Sequence, residues 1–404
     1  MLIQIILALI FGVIFGTFTG LIPGLHINLI GSILISLSAG IFAKIPAIYL
    51  AIFIVSMSIT HTFIDFIPSI FIGAPDSDTV LSILPGHELL KQGKGYQAIL
   101  LTAYGSISAI FILTIISYPS IILIKKTFPF IEILIPYLLI LASLFLIISE
   151  KRKIQGALIF ILTGILGICV FTFGNTEILK EPLLPLLSGL FGSSMILTSI
   201  KSNTKIVPQE IKKPHANLTK PLLASTISSP LCSFLPGLGS GQAAIIGSQI
   251  ISLKNKPTSK EDFLILLGAT NTLVIGFSFI SLYAISKTRT GSSLAIKEIL
   301  NQITPQIFLL IIITTLISGI ISFFLTEFLA KFFSQKIEKI NYKKISKIIL
   351  IFLTIIIFLI TGFTGILIFI ISTFTGIFCI SLGTRRVNMM GCLLLPTILF
   401  YLTN

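Results

Sequence analysis

The chain has 404 residues, of which 54% are hydrophobic and 10% charged, with a formal net charge of +14 and a mean hydropathy of +1.07. Soluble domains carry about a quarter charged residues, so this composition excludes a water-soluble fold. The basic excess sits in short lysine-rich stretches between apolar runs, with no aromatic-rich basic strand, which points away from nucleic acid and toward membrane orientation signals.

Residues 2–22 form the first apolar run, long enough to cross the ~30 Å of hydrocarbon in a bilayer. No basic stretch or cleavage signature precedes it, so it reads as a first span and not as a removable signal peptide. It stops at Pro23-Gly24-Leu25-His26. Proline lacks the donor a helix needs and glycine lowers helix propensity. A Pro-Gly pair at membrane depth is therefore tolerated only where protein or water satisfies the backbone. The half-helix that resumes would turn free N–H groups and a positive dipole end toward an anion, with His26 and Asn28 as side-chain donors.

His61 and Asp65 follow in an apolar stretch, four residues apart and so on one helix face, where they could form a buried pair or a proton relay. Next come Gly73-Ala74-Pro75-Asp76-Ser77-Asp78-Thr79 and Pro85-Gly86-His87 through Gly95. Carboxylates this close to hydrocarbon need a cation, a proton or a basic partner. Asp76, Asp78 and Thr79 are accordingly the candidates for a coupling Na+ or H+, and residues 87–94 could equally be a solvated loop. Runs at 98–124 and 133–149 read as two spans separated by Lys125-Lys126.

A basic stretch over 201–220 leads to a second Pro-Gly break, Pro236-Gly237-Leu238-Gly239, followed by Ser240 and Gln242. Sliding the chain by about 213 residues superposes the two Pro-Gly pairs, and lysine placement obeys the positive-inside rule best if the halves are inverted. The expected architecture is an all-α polytopic membrane protein of two inverted repeats. Each holds about five transmembrane helices and one broken or re-entrant Pro-Gly element: residues 1–205, a basic cytoplasmic linker over 206–220, and residues 221–404. Matching breaks in two halves mark a transporter's midplane site. The expected anion-binding set is Pro23, Gly24, His26, Asn28, Pro236, Gly237, Gly239, Ser240, Gln242 and Asn271. Arg289 and Arg385 are candidate countercharges, Arg385-Arg386 being alternatively a cytoplasmic anchor. Cys169, Cys232, Cys379 and Cys392 lack metal-ligand spacing, and no catalytic or nucleotide-binding signature occurs, so neither an enzyme, a metal site nor an organic cofactor is expected.

These motifs resemble the large membrane subunit of the tripartite tricarboxylate transporters, the TctA type. The resemblance rests on the Pro-Gly-Leu motifs at 23–26 and 236–239 and on Gly73-Ala74-Pro75. It also rests on Pro85-Gly86-His87 through Gly95 followed by Ala98, and on Leu382-Gly383-Thr384-Arg385-Arg386-Val387-Asn388-Met389-Met390-Gly391. It implies a secondary transporter in the cell membrane that takes up a di- or tricarboxylate. Its partners would be a small membrane subunit and an extracytoplasmic binding protein, though a shorter subgroup could act alone. The rival readings are a translocase for a lipid phosphate, such as a polyprenyl phosphate carrier, and a non-transporting membrane assembly protein.

Overall fold

The computed structural model of the chain describes residues 2–22, 31, 34, 44–72, 79–174, 182–201, 207–234, 239–252, 258–300, 302–336 and 342–403. Among them eight helices are long and apolar enough to cross a membrane. The protein is a multi-pass, all-α membrane protein.

Helix α1 (Leu2–Leu21) is uncharged and mostly apolar and ends two residues before Pro23. Helix α2 (Ala47–Ile64) starts directly after Pro46, and only Asp65 separates it from α3 (Phe66–Phe71). A 3-10 turn (Val80–Ser82) leads into α4 (Ile83–Lys91), and Gly93 (φ +78°) makes the turn into α5 (Gly95–Ile148). The lysine pair Lys125-Lys126 does not interrupt α5, contrary to the expectation of two separate spans. Its 54 residues are more than twice the ~20 that one crossing of the hydrocarbon needs. Pro119, Pro129 and Pro136 are absorbed within it. No glycine lies between Gly105 and the helix end, and the lysine pair is anchored by long-range contacts: Lys125 lies over the Tyr283 ring and Lys287 pairs with Glu132 at 2.9 Å.

Helix α6 (Lys153–Gly174) is followed by α7 (Leu183–Leu187), a π-helical turn (Ser188–Ser193) and α8 (Ser194–Lys201). Residues 207–218 carry no regular structure and lie against the Gly93 turn. Gly95 N donates to Gln209 Oε1 (2.8 Å), Glu210 N to Gly93 O (2.8 Å), and Lys213 pairs with Glu327 (2.6 Å). Helices α9 (Thr219–Phe234) and α10 (Ser240–Ser252) then precede α11 (Lys260–Ile285). Ser259 caps α11, its hydroxyl accepting from Asp262 N at 3.0 Å, and Glu261 and Asp262 complement the helix dipole. The rest is α12 (Gly291–Leu300), α13 (Pro305–Lys336), α14 (Tyr342–Ser381), a 3-10 turn (Arg386–Met390) and α15 (Gly391–Thr403). Gly362 (φ +66°) breaks α14, a conformation that favours glycine.

Helices α1 and α9 end at Leu21 and Phe234, 213 residues apart, and α2 and α11 begin at Ala47 and Lys260, again 213 apart. Partners are exchanged correspondingly: α1 packs on α2 as α9 packs on α11, while α2 packs on α13 as α11 packs on α5. Thr102 meets Gly268 and Leu113 meets Gly276, so α5 and α11 run parallel. Thr60 meets Ser322 and Phe71 meets Phe333, so α2–α3 and α13 run parallel as well. Tyr96 meets Glu327, Tyr104 stacks on Phe323 and Ile110 meets Gly319, so α5 and α13 run antiparallel. The α5–α11 contact requires glycine. A Cβ on Gly105 would overlap the Ile265 carbonyl and one on Gly268 the Thr102 carbonyl, while Ser106 Oγ donates to Gly268 O at 2.9 Å.

Candidate functional site

The second half supplies most of what is described of the site. Phe234 ends α9 and Gly239 opens α10. Gln242, three residues on, accepts from Gly239 N through Oε1 at 2.7 Å, while Gly239 O accepts from Ala243 N. This is the N3-to-N-cap half of a capping box. It holds the Gln242 carboxamide at the helix mouth, where Nε2 is buried with no hydrogen-bond partner and the whole residue is 1% exposed. Ser240, also 1% exposed, occupies the first turn.

Arg289 approaches the same end of the bundle. Its Nε and Nη1 are buried, and its charge reaches Cys232, which lies near the end of α9 and shares a packed cluster with Ala243 of α10. Arg289 precedes the start of α12, where Thr290 and Ser293 cap one another: Ser293 N donates to Thr290 Oγ1 and Thr290 N to Ser293 Oγ, each at 3.2 Å. Ser278 of α11 joins through a 3.0 Å hydroxyl contact with Thr290.

A described glycine downstream of each Pro-Gly pair meets the opposite half. Gly31, downstream of the first break, lies so close to the start of α12 that a Cβ there would fall 2.5 Å from the Gly291 carbonyl oxygen. Gly241, downstream of the second, faces Leu81 in the 3-10 turn before α4. Pro23, Gly24, His26, Asn28, Pro236, Gly237, Asp76 and Asp78 lie outside the described residues. Thr79 is fully buried beside that segment, its hydroxyl 2.7 Å from Ser69 Oγ and its carbonyl accepting from Ser82 Oγ.

Asn271 is placed where α11 crosses α2. Its Nδ2 donates to Asp65 Oδ2 at 2.9 Å and to Thr62 O at 3.4 Å, and Thr272 and Thr62 meet hydroxyl to hydroxyl at 3.2 Å. Asp65, Asn271 and His61 are each 3% exposed. His61 Nδ1 lies 3.1 Å from Thr19 Oγ1 on α1. The polar residues noted along α2 thus tie three helices together.

The remaining sequence candidates take other places. Arg385 is engaged at Glu150, 4% exposed in its side chain: Arg385 N and Nε donate to Glu150 Oε2 at 3.0 and 3.1 Å, and Asn388 Nδ2 does so at 2.8 Å. Arg385 Nη2 donates to Ser149 Oγ and Arg152 Nη1 to Leu382 O. Burial alone would raise the Glu150 pKa, but these hydrogen bonds and the Arg385 charge outweigh it and hold the carboxyl below its usual range. Sequence reasoning missed Glu150, whose only signal was one acid preceding three basic residues. The 83–91 stretch is helical and not a loop. Glu88 pairs with Lys260, and His87 is brought down to about 4 by burial, then by Lys91 and Arg386. Among the described residues no group of three or more His, Cys, Asp or Glu is placed to hold a metal ion.

The profile of the tripartite tricarboxylate transporter TctA family matches residues 6–391. An uncharacterized protein of Methanocaldococcus jannaschii is 32% identical over 365 residues, which cover 87% of this chain and 88% of that protein. No solved structure matches. A buried helix mouth with an unpartnered amide, breaks placed alike in two halves and a profile match over nearly the whole length agree, and the chain belongs to the TctA family of tripartite tricarboxylate transporters.

Proposed function

We propose that the chain is the translocating subunit of a secondary transporter that takes up a small organic anion, a di- or tricarboxylate. The anion is bound between the two Pro-Gly elements and transport is coupled to H+ or Na+. The observation that carries this reading is the mouth of α10, where the Gln242 Nε2 donor is buried without a partner at a helix N-terminus, with the Arg289 charge reaching Cys232 near the end of α9. Ser240 and Gly239 line that mouth, and Pro236 and Gly237 would turn the chain into it. Pro23, Gly24, His26 and Asn28 would approach from the first half, consistent with Gly31 resting on the start of α12. Asn271 sits deeper, at the crossing of the halves.

Alternating access would use inverted repeats. The 213-residue spacing of helix ends and the antiparallel run of α5 and α13 support that arrangement, because two corresponding spans of opposite direction cross the bilayer in opposite senses. The coupling ion would be held by Asp76, Asp78 and Thr79, with Asp65 as a second carboxylate at the interface of the halves. A small membrane subunit and an extracytoplasmic binding protein would complete the system, as the family description implies.

The test is uptake of radiolabelled citrate, succinate and fumarate into proteoliposomes under imposed proton or sodium gradients, with inorganic phosphate as the control. Gradient-dependent accumulation of a carboxylate is expected. Accumulation of none of them under either gradient, with or without the partner subunits, would sink the proposal.

A further inference from the structure

An open-sided cavity of about 330 Å³ lies where α1, α3, α13 and α14 meet. Leu21 and Ile22, the last residues before Pro23, form its inner wall with Phe71, and Phe333, Ile348 and Phe352 complete it. Every lining residue is apolar. Ile348 is 55% and Phe352 36% exposed, so the outer rim faces what surrounds the protein, which for these spans is lipid. The volume is at the lower end of the ~300–1,000 Å³ of small-molecule sites. It is too small to hold even one turn of a partner helix, which is about 10–12 Å across.

One end of this cavity is strongly basic. Lys344, Ile348 and Phe352 are spaced four apart, so the face of α14 that lines the cavity runs on into Lys344. Lys347 directly precedes Ile348, and Lys336, whose ammonium lies over the ring of Phe332 beside Phe333, is in the last turn of α13, with all three lysines exposed. Ser334, next to Phe333, has a buried hydroxyl with no partner. Walls without a single donor do not suit a free carboxylate, and a neutral lipid has no use for three ammonium groups. Apolar depth under a basic lip fits an amphiphile with a negative head.

We propose that this cavity takes one hydrocarbon chain of an anionic membrane lipid, whose phosphate rests on Lys336, Lys344 and Lys347. The bound chain lies against Ile22, directly beside the first Pro-Gly element, and wedges α13 and α14 at their joined ends. The inference does not depend on which anion crosses the membrane.

The chain contains no tryptophan, so Phe352→Trp gives a single fluorophore at the rim. Ile115→Trp, on the outer face of α5 at a position 77% exposed, gives a control in bulk lipid. Each variant is placed in bilayers containing phosphatidylglycerol or phosphatidylcholine with brominated chains as quencher. Phosphatidylglycerol is expected to quench Phe352→Trp at about a hundredfold lower mole fraction than phosphatidylcholine, from about fivefold preference for each of the three lysines. Ile115→Trp should show no preference. Adding Lys336→Gln, Lys344→Gln and Lys347→Gln should abolish the preference, and Lys347→Gln alone should reduce it about fivefold. Equal quenching by the two lipids at Phe352→Trp overturns the proposal. So does a preference shared by the control, or one that survives removal of the lysines.

Discussion

Asn271 on α11 donates its carboxamide to the carboxylate of Asp65, 2.9 Å away at the junction of α2 and α3, across 206 residues of sequence. Both side chains are almost wholly buried in spans that a membrane would surround. An ionised carboxylate there needs such a donor, and a protonated one would still bond to it. Asn271→Leu removes the donor, so a loss of about 1.5–3 kcal/mol is expected, read as a lower thermal unfolding midpoint in detergent. Asp65→Asn keeps a hydrogen-bonding pair and should fold. If Asp65 carries part of the coupling, its uptake will lose the response to an imposed proton or sodium gradient. An unchanged response assigns coupling elsewhere, with Asp76→Asn and Asp78→Asn as the next variants to measure.

The Glu150 cluster makes a pH prediction with a definite sign. Its carboxyl is held below the usual range in the folded protein, so its contribution is complete above the ordinary carboxylate pKa and is lost as pH falls through the folded value. Unfolding midpoints of the wild type should drop on acidification through that window. Glu150→Gln should start lower at neutral pH and fall less. Equal slopes for the two proteins would show that the Arg385 and Asn388 contacts do not stabilise the ionised form.

His87 titrates outside the physiological range. Burial, with Lys91 and Arg386 adding repulsion, brings it to about 4. Its unfolded counterpart takes a proton near 6.5, so the unfolded state binds more protons between those values and stability declines as pH falls from about 6.5 toward 4. Between pH 7 and 8 the ring is neutral, and His87→Gln should leave the pH profile of uptake unchanged there. A profile that shifts in this variant would make His87 a participant.

The apolar runs announced the spans because a membrane helix must be apolar over its own length, a local property. The helix ends at Leu21 and Phe234 were visible for the same reason: a Pro-Gly pair follows each within two residues and interrupts the run. Long-range pairings were not legible. Lys125-Lys126 reads locally as a loop, yet the helix continues because Tyr283 and the Lys287–Glu132 pair engage that stretch. Arg385 reads locally as an anchor or a free countercharge, and its partner Glu150 lies 235 residues away. His61 and Asp65 share a helix face, as their spacing requires, but that face meets α1 through Thr19 and α11 through Asn271.

Loop charge and contact geometry lead to one orientation. Arg152 meets Leu382 beside Arg385, and Lys213 meets Glu327 near the end of α13, so basic stretches of the two halves lie together in each of these two places. On the proposed inverted arrangement, the positive-inside rule would put residues 201–220 and 331–347 in the cytoplasm and both termini outside. In a background with Cys169, Cys232, Cys379 and Cys392 replaced, a membrane-impermeant maleimide applied outside should reach a cysteine appended after Asn404. It should miss cysteines at Lys212 and Lys336. Labelling of both loop positions from outside would overturn the inverted arrangement.

The mouth of α10 is where the transport reading is most exposed to failure. Gln242 uses Oε1 to cap Gly239 and leaves Nε2 buried without a partner. A buried donor left unsatisfied costs about 1–3 kcal/mol, so in the absence of ligand this amide is a liability that a bound carboxylate would relieve. Gln242→Glu keeps the cap but exchanges the donor for a negative charge, and should abolish anion binding while retaining the fold. Gln242→Ala loses both cap and donor, so affinity should fall about tenfold to a hundredfold for the lost bond to a charged group, together with some stability. Ser240→Ala, His26→Ala and Asn28→Ala should each weaken binding within the same range if the first break shares the site. Arg289→Lys retains charge but loses the forked geometry, and should raise KM more than it lowers the maximal rate. Unchanged carboxylate affinity in both Gln242→Glu and Arg289→Lys would mean that the anion binds elsewhere, because one introduces a negative charge at the helix mouth and the other removes the Arg289 guanidinium.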